Sequence, residues 1–114
     1  SYPSFMDIYR IRARMDEAKE EDSFLLLCTL SAEKGEWRED EGKEQMELFQ
    51  KMLLKQTRAD DVYTQYSKNQ YLVLLSGAGK AGEELVISRL KENWKESGGR
   101  ARVKFSVDKV ERAH

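Results

Sequence analysis

Apolar residues recur at steps of three and four over residues 4–20, where Phe5, Ile8, Ile11, Met15 and Ala18 mark one helical face behind Ser4 as N-cap. The pattern then changes to a short continuous apolar run, residues 24–30. Such a run suits a strand covered on both faces in the middle of a sheet. Residues 31–43 are rich in Gly, Glu, Lys, Arg and Asp around Trp37 and read as a solvated loop, whose tryptophan either caps the core or meets a partner. Helical spacing returns over residues 44–57, with Met46, Phe49, Met52 and Leu53 on one face. Val62, Thr64 and Tyr66 alternate with Tyr63 and Gln65, and after a polar tetrad comes the apolar run 71–75. This predicts a hairpin whose turn centres on Lys68-Asn69, with Asn tolerating a left-handed backbone. A flexible connection over residues 76–82 leads to a helix over 83–95 that aligns Ile87, Leu90 and Trp94. Ser97-Gly98-Gly99 ends it, and residues 101–108 alternate as a strand with one wet face. The predicted order is α-β-α-β-β-α-β, without repeats or linkers.

Length places this pattern in one domain, residues 1–114, since 114 residues suffice for one hydrophobic core and not two. With 39% apolar and 36% charged residues the chain is expected to fold as a cytoplasmic protein with a well-solvated surface. Its longest apolar run falls far short of the roughly 20 residues that span a bilayer, so no membrane partner is expected. The opening Ser1-Tyr2-Pro3, without initiator methionine or leader, suggests a piece excised from a longer polypeptide. Twenty basic against 21 acidic residues leave a net charge of -1 and no field to draw nucleic acid, so direct binding of it is not expected. Cys28 lies within an apolar run and reads as a small buried hydrophobe. The single histidine is His114, so neither a His-based general base nor a His/Cys zinc site can be assembled at a structured position, and no metal or cofactor is expected.

The helix and strand order suggests an α/β sandwich of ferredoxin-like or nucleotide-cyclase-like type, with four to five strands, antiparallel pairs among them, and helices on one face. Residues 58–75 carry a more specific likeness. Arg58, Asp61, Tyr66, Tyr71, Val73, Leu74 and Leu75 fall into register with the R-x-x-D, short strand, signature turn and F-x-V-L-L strand of GGDEF (diguanylate cyclase-like) domains, which the chain resembles over nearly its whole length. Upstream, Thr29 and Ser31 stand where the family has two aspartates, and Lys34 matches its lysine.

The departures bear on function. The resemblance implies that carboxylates at the end of the first strand and in the signature turn hold Mg²⁺, a hard cation that requires anionic oxygen. Here the turn reads Ser67, Lys68, Asn69, Gln70, Tyr71, and the metal-binding positions carry Thr29, Asn69 and Gln70, none of them anionic. Ser67 and Lys68 replace the two glycines that leave room for a nucleotide. The expectation is a degenerate, non-enzymatic domain. Arg58 and Asp61 coincide with the family's inhibitory site for cyclic di-GMP, where Arg grips phosphate or guanine and Asp accepts from a guanine edge. Read without the family, Arg58 suits a helix C-terminus and Asp61 a turn. This degenerate form is similar to domains of SARP-like bacterial transcriptional activators. Three functions follow as expectations: a regulatory module that contacts other domains of the same regulator or homodimerises through the Trp37 loop and the hairpin; a cyclic dinucleotide sensor using Arg58 and Asp61; or a residual cyclase with carboxylates recruited from residues 36–44.

Overall fold

A computed structural model describes residues 1–56, 61–76 and 79–112. In chain order the elements are α1 (Tyr2–Lys19), β1 (Phe24–Ser31), α2 (Glu39–Gln56), β2 (Val62–Ser67), β3 (Gln70–Leu75), α3 (Gly79–Glu96) and β4 (Arg102–Lys109). The strands form one antiparallel sheet in the order β2-β3-β1-β4. β1 lies between β3 and β4, with Leu26 opposite Val73 on one side and Val107 on the other. β1 and β2 therefore run parallel on either side of β3, joined by α2, while α3 joins β3 to β4 across β1. This is the split βαβ arrangement expected of a ferredoxin-like sheet.

Three element boundaries move outward from the sequence expectation. α1 begins at Tyr2, capped by Ser1 in place of Ser4: the Ser1 hydroxyl accepts from the Ser4 N–H at 3.4 Å and its carbonyl from the Phe5 N–H at 3.0 Å. Pro3 fits there because first-turn N–H groups have no helical partner anyway. α2 begins at Glu39, five residues before its apolar period, with Glu39, Asp40 and Glu41 in its first turn. Carboxylates at that end are stabilised by the helix dipole, so a charge run that reads as a loop is helical. α3 likewise begins at Gly79 although Gly79 and Gly82 have poor helix propensity.

Helices cover both faces of the sheet, not one. α2 and α3 pack on the face formed by Leu26, Cys28, Leu30, Tyr71, Val73 and Leu75, where Phe49 stacks on Tyr71 at 5.8 Å and meets the Trp94 edge at 5.3 Å. α1 packs on the opposite face through Phe5 and Ala13, against Leu72, Leu74 and Val110. The reason is visible in β1 and β3, whose consecutive apolar residues point alternately to the two faces and require cover on each.

α1 does not present the stripe its spacing predicts. Phe5, Ala13 and Asp16 are buried, whereas Ile11 is 53% and Met15 42% exposed. The determinant is polar: the Asp16 carboxylate accepts from the Ser23 N–H and hydroxyl, both at 3.0 Å, and so joins the helix to β1. The Asp16 carbonyl accepts from Glu20 and Glu21 N–H groups, and Glu20 closes the helix at φ 55. Turning Ile11 and Met15 inward would leave the buried Ser23 groups unpaired, which costs more than exposing two apolar side chains in part.

At the far end of α3, the Trp94 Nε1–H donates to the Ala101 carbonyl at 2.8 Å, and the buried Gln45 carbonyl accepts from the N–H groups of Arg100 and Ala101 at 2.8 and 2.9 Å. Gly98 takes a left-handed φ of 77, and a Cβ on Gly99 would collide with the Trp94 ring. These contacts fix where β4 starts.

Candidate functional site

The hairpin turn is held by side chains. A bulge at Tyr66 offsets β2 from β3, and the turn passes through Lys68 and Asn69. Asn69 is not left-handed, contrary to the sequence expectation: Glu20 is the one non-glycine residue with positive φ among the described residues. A bulge adds local twist, which a left-handed turn would otherwise supply. The Asn69 side-chain Nδ2 donates to the Leu30 carbonyl at 2.9 Å, and the Asn69 backbone carbonyl accepts from the Leu30 N–H at 2.8 Å. Beside it, the Gln70 amide Nε2 donates to the Thr29 hydroxyl at 3.0 Å. The Ser67 hydroxyl lies 3.2 Å from Asn69 Oδ1 and 2.9 Å from Gln70 Oε1, positioned to donate to either, and accepts from the Asn69 N–H at 3.4 Å. Thr29, Ser67, Asn69 and Gln70 thus form one neutral network that ties the end of β1 to the turn.

That donor set does not match a divalent cation. Hydroxyl and amide oxygens carry no net charge, whereas Mg²⁺ sites are built on carboxylates. Among the described residues no three of His, Cys, Asp or Glu come together in a group that could hold a metal.

Beside the turn lies a cleft of about 880 Å³ between Lys68 and Asn69, the Trp37 loop and the N-terminal half of α2. Its size is within the range of small-molecule sites. Met46 and Tyr71 form part of its wall, and the Tyr71 hydroxyl donates to the Met46 carbonyl at 3.1 Å. Burial pushes the Tyr71 hydroxyl above its ordinary pKa, and the neighbouring Tyr63 and Glu47 push it further in the same direction. The lining charges are mixed: Arg38, Lys43 and Lys68 against Glu39 and Glu47. Arg38 is already paired with Glu41 at 2.9 Å. Trp37 is half-buried, packs on the α2/α3 core and lies over Gly42, where a Cβ would stand 3.1 Å from its ring. It caps the core and lines the cleft at once.

Of the other predicted site residues, Arg58 lies outside the described residues. Asp61 precedes β2, and its Oδ1 accepts from the Ser76 N–H at 3.3 Å, a bond that ties the start of β2 to the end of β3. Cys28 is fully buried, and burial pushes its thiol up to about 12. Sequence reasoning missed the structural polar residues Asp16 and Gln45 and the α2 residues Lys43 and Glu47 along the cleft. The first pair could have been flagged as polar residues at helical spacing beside Ala13 and Phe49; the second carried no signal, because a helix start inside a charge run is not periodic.

No protein-family model and no curated protein matches the chain. Among solved structures, it is similar to a DGC protein from Thermotoga maritima, with a TM-score of 0.78 and 17% identity over 94% of this chain and 78% of that one. It is also similar to PelD from Pseudomonas aeruginosa PAO1, with a TM-score of 0.60 and 18% identity over 93% of this chain and 38% of that one. No helix among the described residues is long and apolar enough to cross a membrane. With its antiparallel sheet, split βαβ order and hairpin beside a cleft, the chain has a GGDEF-like cyclase fold.

Proposed function

We propose that this chain is a non-catalytic, GGDEF-like regulatory module that works by contact with other protein surfaces, within a bacterial transcriptional regulator. The observation that carries the reading is the closed network of Thr29, Ser67, Asn69 and Gln70. Phosphoryl transfer depends on cations that neutralise charge developing on the transferred phosphate, held in place by protein carboxylates. Here neutral groups stand at those positions, and the Asn69 and Gln70 amides use their N–H groups to join the turn to β1. Ser67 and Lys68 add side chains where the resembled turn has none. A fold kept intact around a turn of this kind is consistent with a role in binding. The regulator setting rests on the sequence resemblance of residues 61–75 alone.

The test is incubation of the chain with GTP and Mg²⁺ or Mn²⁺, followed by chromatographic separation of products. No turnover is expected. Formation of a cyclic dinucleotide would overturn the reading.

A further inference from the structure

The two edges of the sheet are not equivalent. β2 is guarded: the bulge at Tyr66 interrupts its ladder with β3, the Gln65 side chain donates to the Ser67 carbonyl at 3.0 Å, and the Tyr2 ring of α1 lies 5.7 Å from that of Tyr66. β4 instead runs in unbroken register with β1 from Arg102 to Lys109, and no strand among the described residues pairs with its other side. About half of its backbone N–H and C=O groups therefore point away from the sheet. A long, regular edge of this kind is a template for a further strand.

A groove of about 620 Å³ follows this edge where α3 passes beside it. Its apolar part is Ile87 of α3 with Val103 and Phe105 of β4, half-buried residues that pack on the α2/α3 core. The charged residues that line it are Arg102 and Lys104, on the opposite face of the strand, and Lys91 of α3. All three are exposed, and none makes an ion pair among the described residues. No Asp or Glu lines the groove, although the chain as a whole carries 21 acidic against 20 basic residues. Charged side chains on an edge strand deter indiscriminate pairing. Because those here are cationic, they exclude basic strands and admit acidic ones. A second copy fits poorly, since β4 has one carboxylate, Asp108, to set against the two strand cations.

We propose that the β4 edge is a docking site for an extended acidic segment of another polypeptide, which adds to the sheet as a fifth strand. Successive residues of an added strand point to opposite faces. The groove therefore selects an alternating segment, with apolar residues against Ile87, Val103 and Phe105 and acidic residues against Arg102 and Lys104. Main-chain hydrogen bonds supply affinity, and the alternating side chains supply selectivity. This site gives the protein-contact reading of the chain a partner chemistry, and rests on that reading.

Fluorescence anisotropy of a labelled peptide alternating Val and Glu, titrated with the intact chain, tests the proposal. Saturable binding is expected below roughly millimolar concentration, weakened by added salt. Replacing Glu by Lys in the peptide should abolish it, as should N-methylation throughout, which removes the main-chain donors. Arg102→Glu and Lys104→Glu should each weaken binding about tenfold, with an unchanged far-ultraviolet spectrum because both side chains are exposed. The double variant should prefer the Lys peptide. Backbone amide signals of residues 102–109 should shift on titration. Absence of binding overturns the proposal, as does equal affinity for the Glu and Lys peptides, shifts centred on the Trp37 cleft, or a chain that dimerises through β4 and leaves the peptide unbound. Turnover of GTP would overturn the functional reading and leave the peptide affinity unaffected, so the two failures are distinguishable.

Discussion

The two faces of the sheet are built differently. Under α2 and α3, Leu26, Leu30, Phe49 and Leu53 are fully buried, and the rings of Tyr71 and Trp94 pack on Phe49. Under α1 the buried set is smaller, and the helix is positioned as much by the Asp16–Ser23 hydrogen bonds as by Phe5 and Ala13. Beyond α1, the same face carries Arg102, Lys104, Ser106 and Asp108 of β4, all exposed. One face therefore supplies cohesion through apolar contact, which is insensitive to direction. The other is held in register by a few directional bonds and leaves Ile11, Met15 and the polar side of β4 exposed.

Perturbations of each face should sharpen that contrast. Phe49→Ala, which removes the ring shared by α2, α3 and β3, should cost about 4 kcal/mol in urea unfolding, since transfer and cavity effects add. A loss below about 1 kcal/mol would mean that the α2/α3 face is not the principal core. The same face holds Cys28, whose thiol is pushed from 9.0 up to about 12 by burial. Below pH 9 both folded and unfolded states keep the proton and the full contribution is present. Above it the unfolded chain ionises first, so this contribution is lost as pH rises toward about 12. The slope should reach at most about 1.4 kcal/mol per pH unit. Comparing unfolding free energies of the chain and Cys28→Ala across that range isolates it, and parallel curves would refute the assignment.

On the α1 face, Asp16→Ala should cost about 2 kcal/mol by leaving the Ser23 N–H and hydroxyl buried without partners. Hydrogen exchange should show the α1–β1 connection opening while β3 stays protected. Uniform loss of protection would indicate that the two faces unfold as one unit. Smallest are the effects at the hairpin turn. Asn69→Asp removes the amide donor to the Leu30 carbonyl and should cost about 1 kcal/mol, whereas Gln70→Glu should cost less because the Thr29 hydroxyl can turn to donate. Equal losses in thermal melts would argue against the network as described.

Much of the fold was legible in the chain because periodicity reflects burial directly. The unbroken apolar residues of β1 and β3 indicated a central, doubly covered position, and Val103, Phe105 and Val107 alternating with polar residues indicated one wet face of β4. Helix starts were less legible: the first turn of α2 is marked by carboxylates at the helix dipole and that of α3 begins at a glycine, and neither leaves a hydrophobic pattern. The candidate site was legible as substitutions, with Thr29, Ser67, Lys68, Asn69 and Gln70 standing out against the GGDEF turn. Their mutual hydrogen bonds were not, because Thr29 and Gln70 meet only through the β1–β3 register.

Sequence alone determined the order of elements and the lack of carboxylates in the turn, since propensity, apolar period and charge are local properties of the chain. Tertiary structure decided which face of α1 points inward, on which side of the sheet it lies, and how the turn is tied to β1. The first and last of these depend on hydrogen bonds between residues apart in sequence, Asp16 with Ser23 and Leu30 with Asn69, as does the start of β4 through Gln45 and Ala101. Such bonds are formed only when the chain has already been brought together, so they overrule the local pattern without being visible in it.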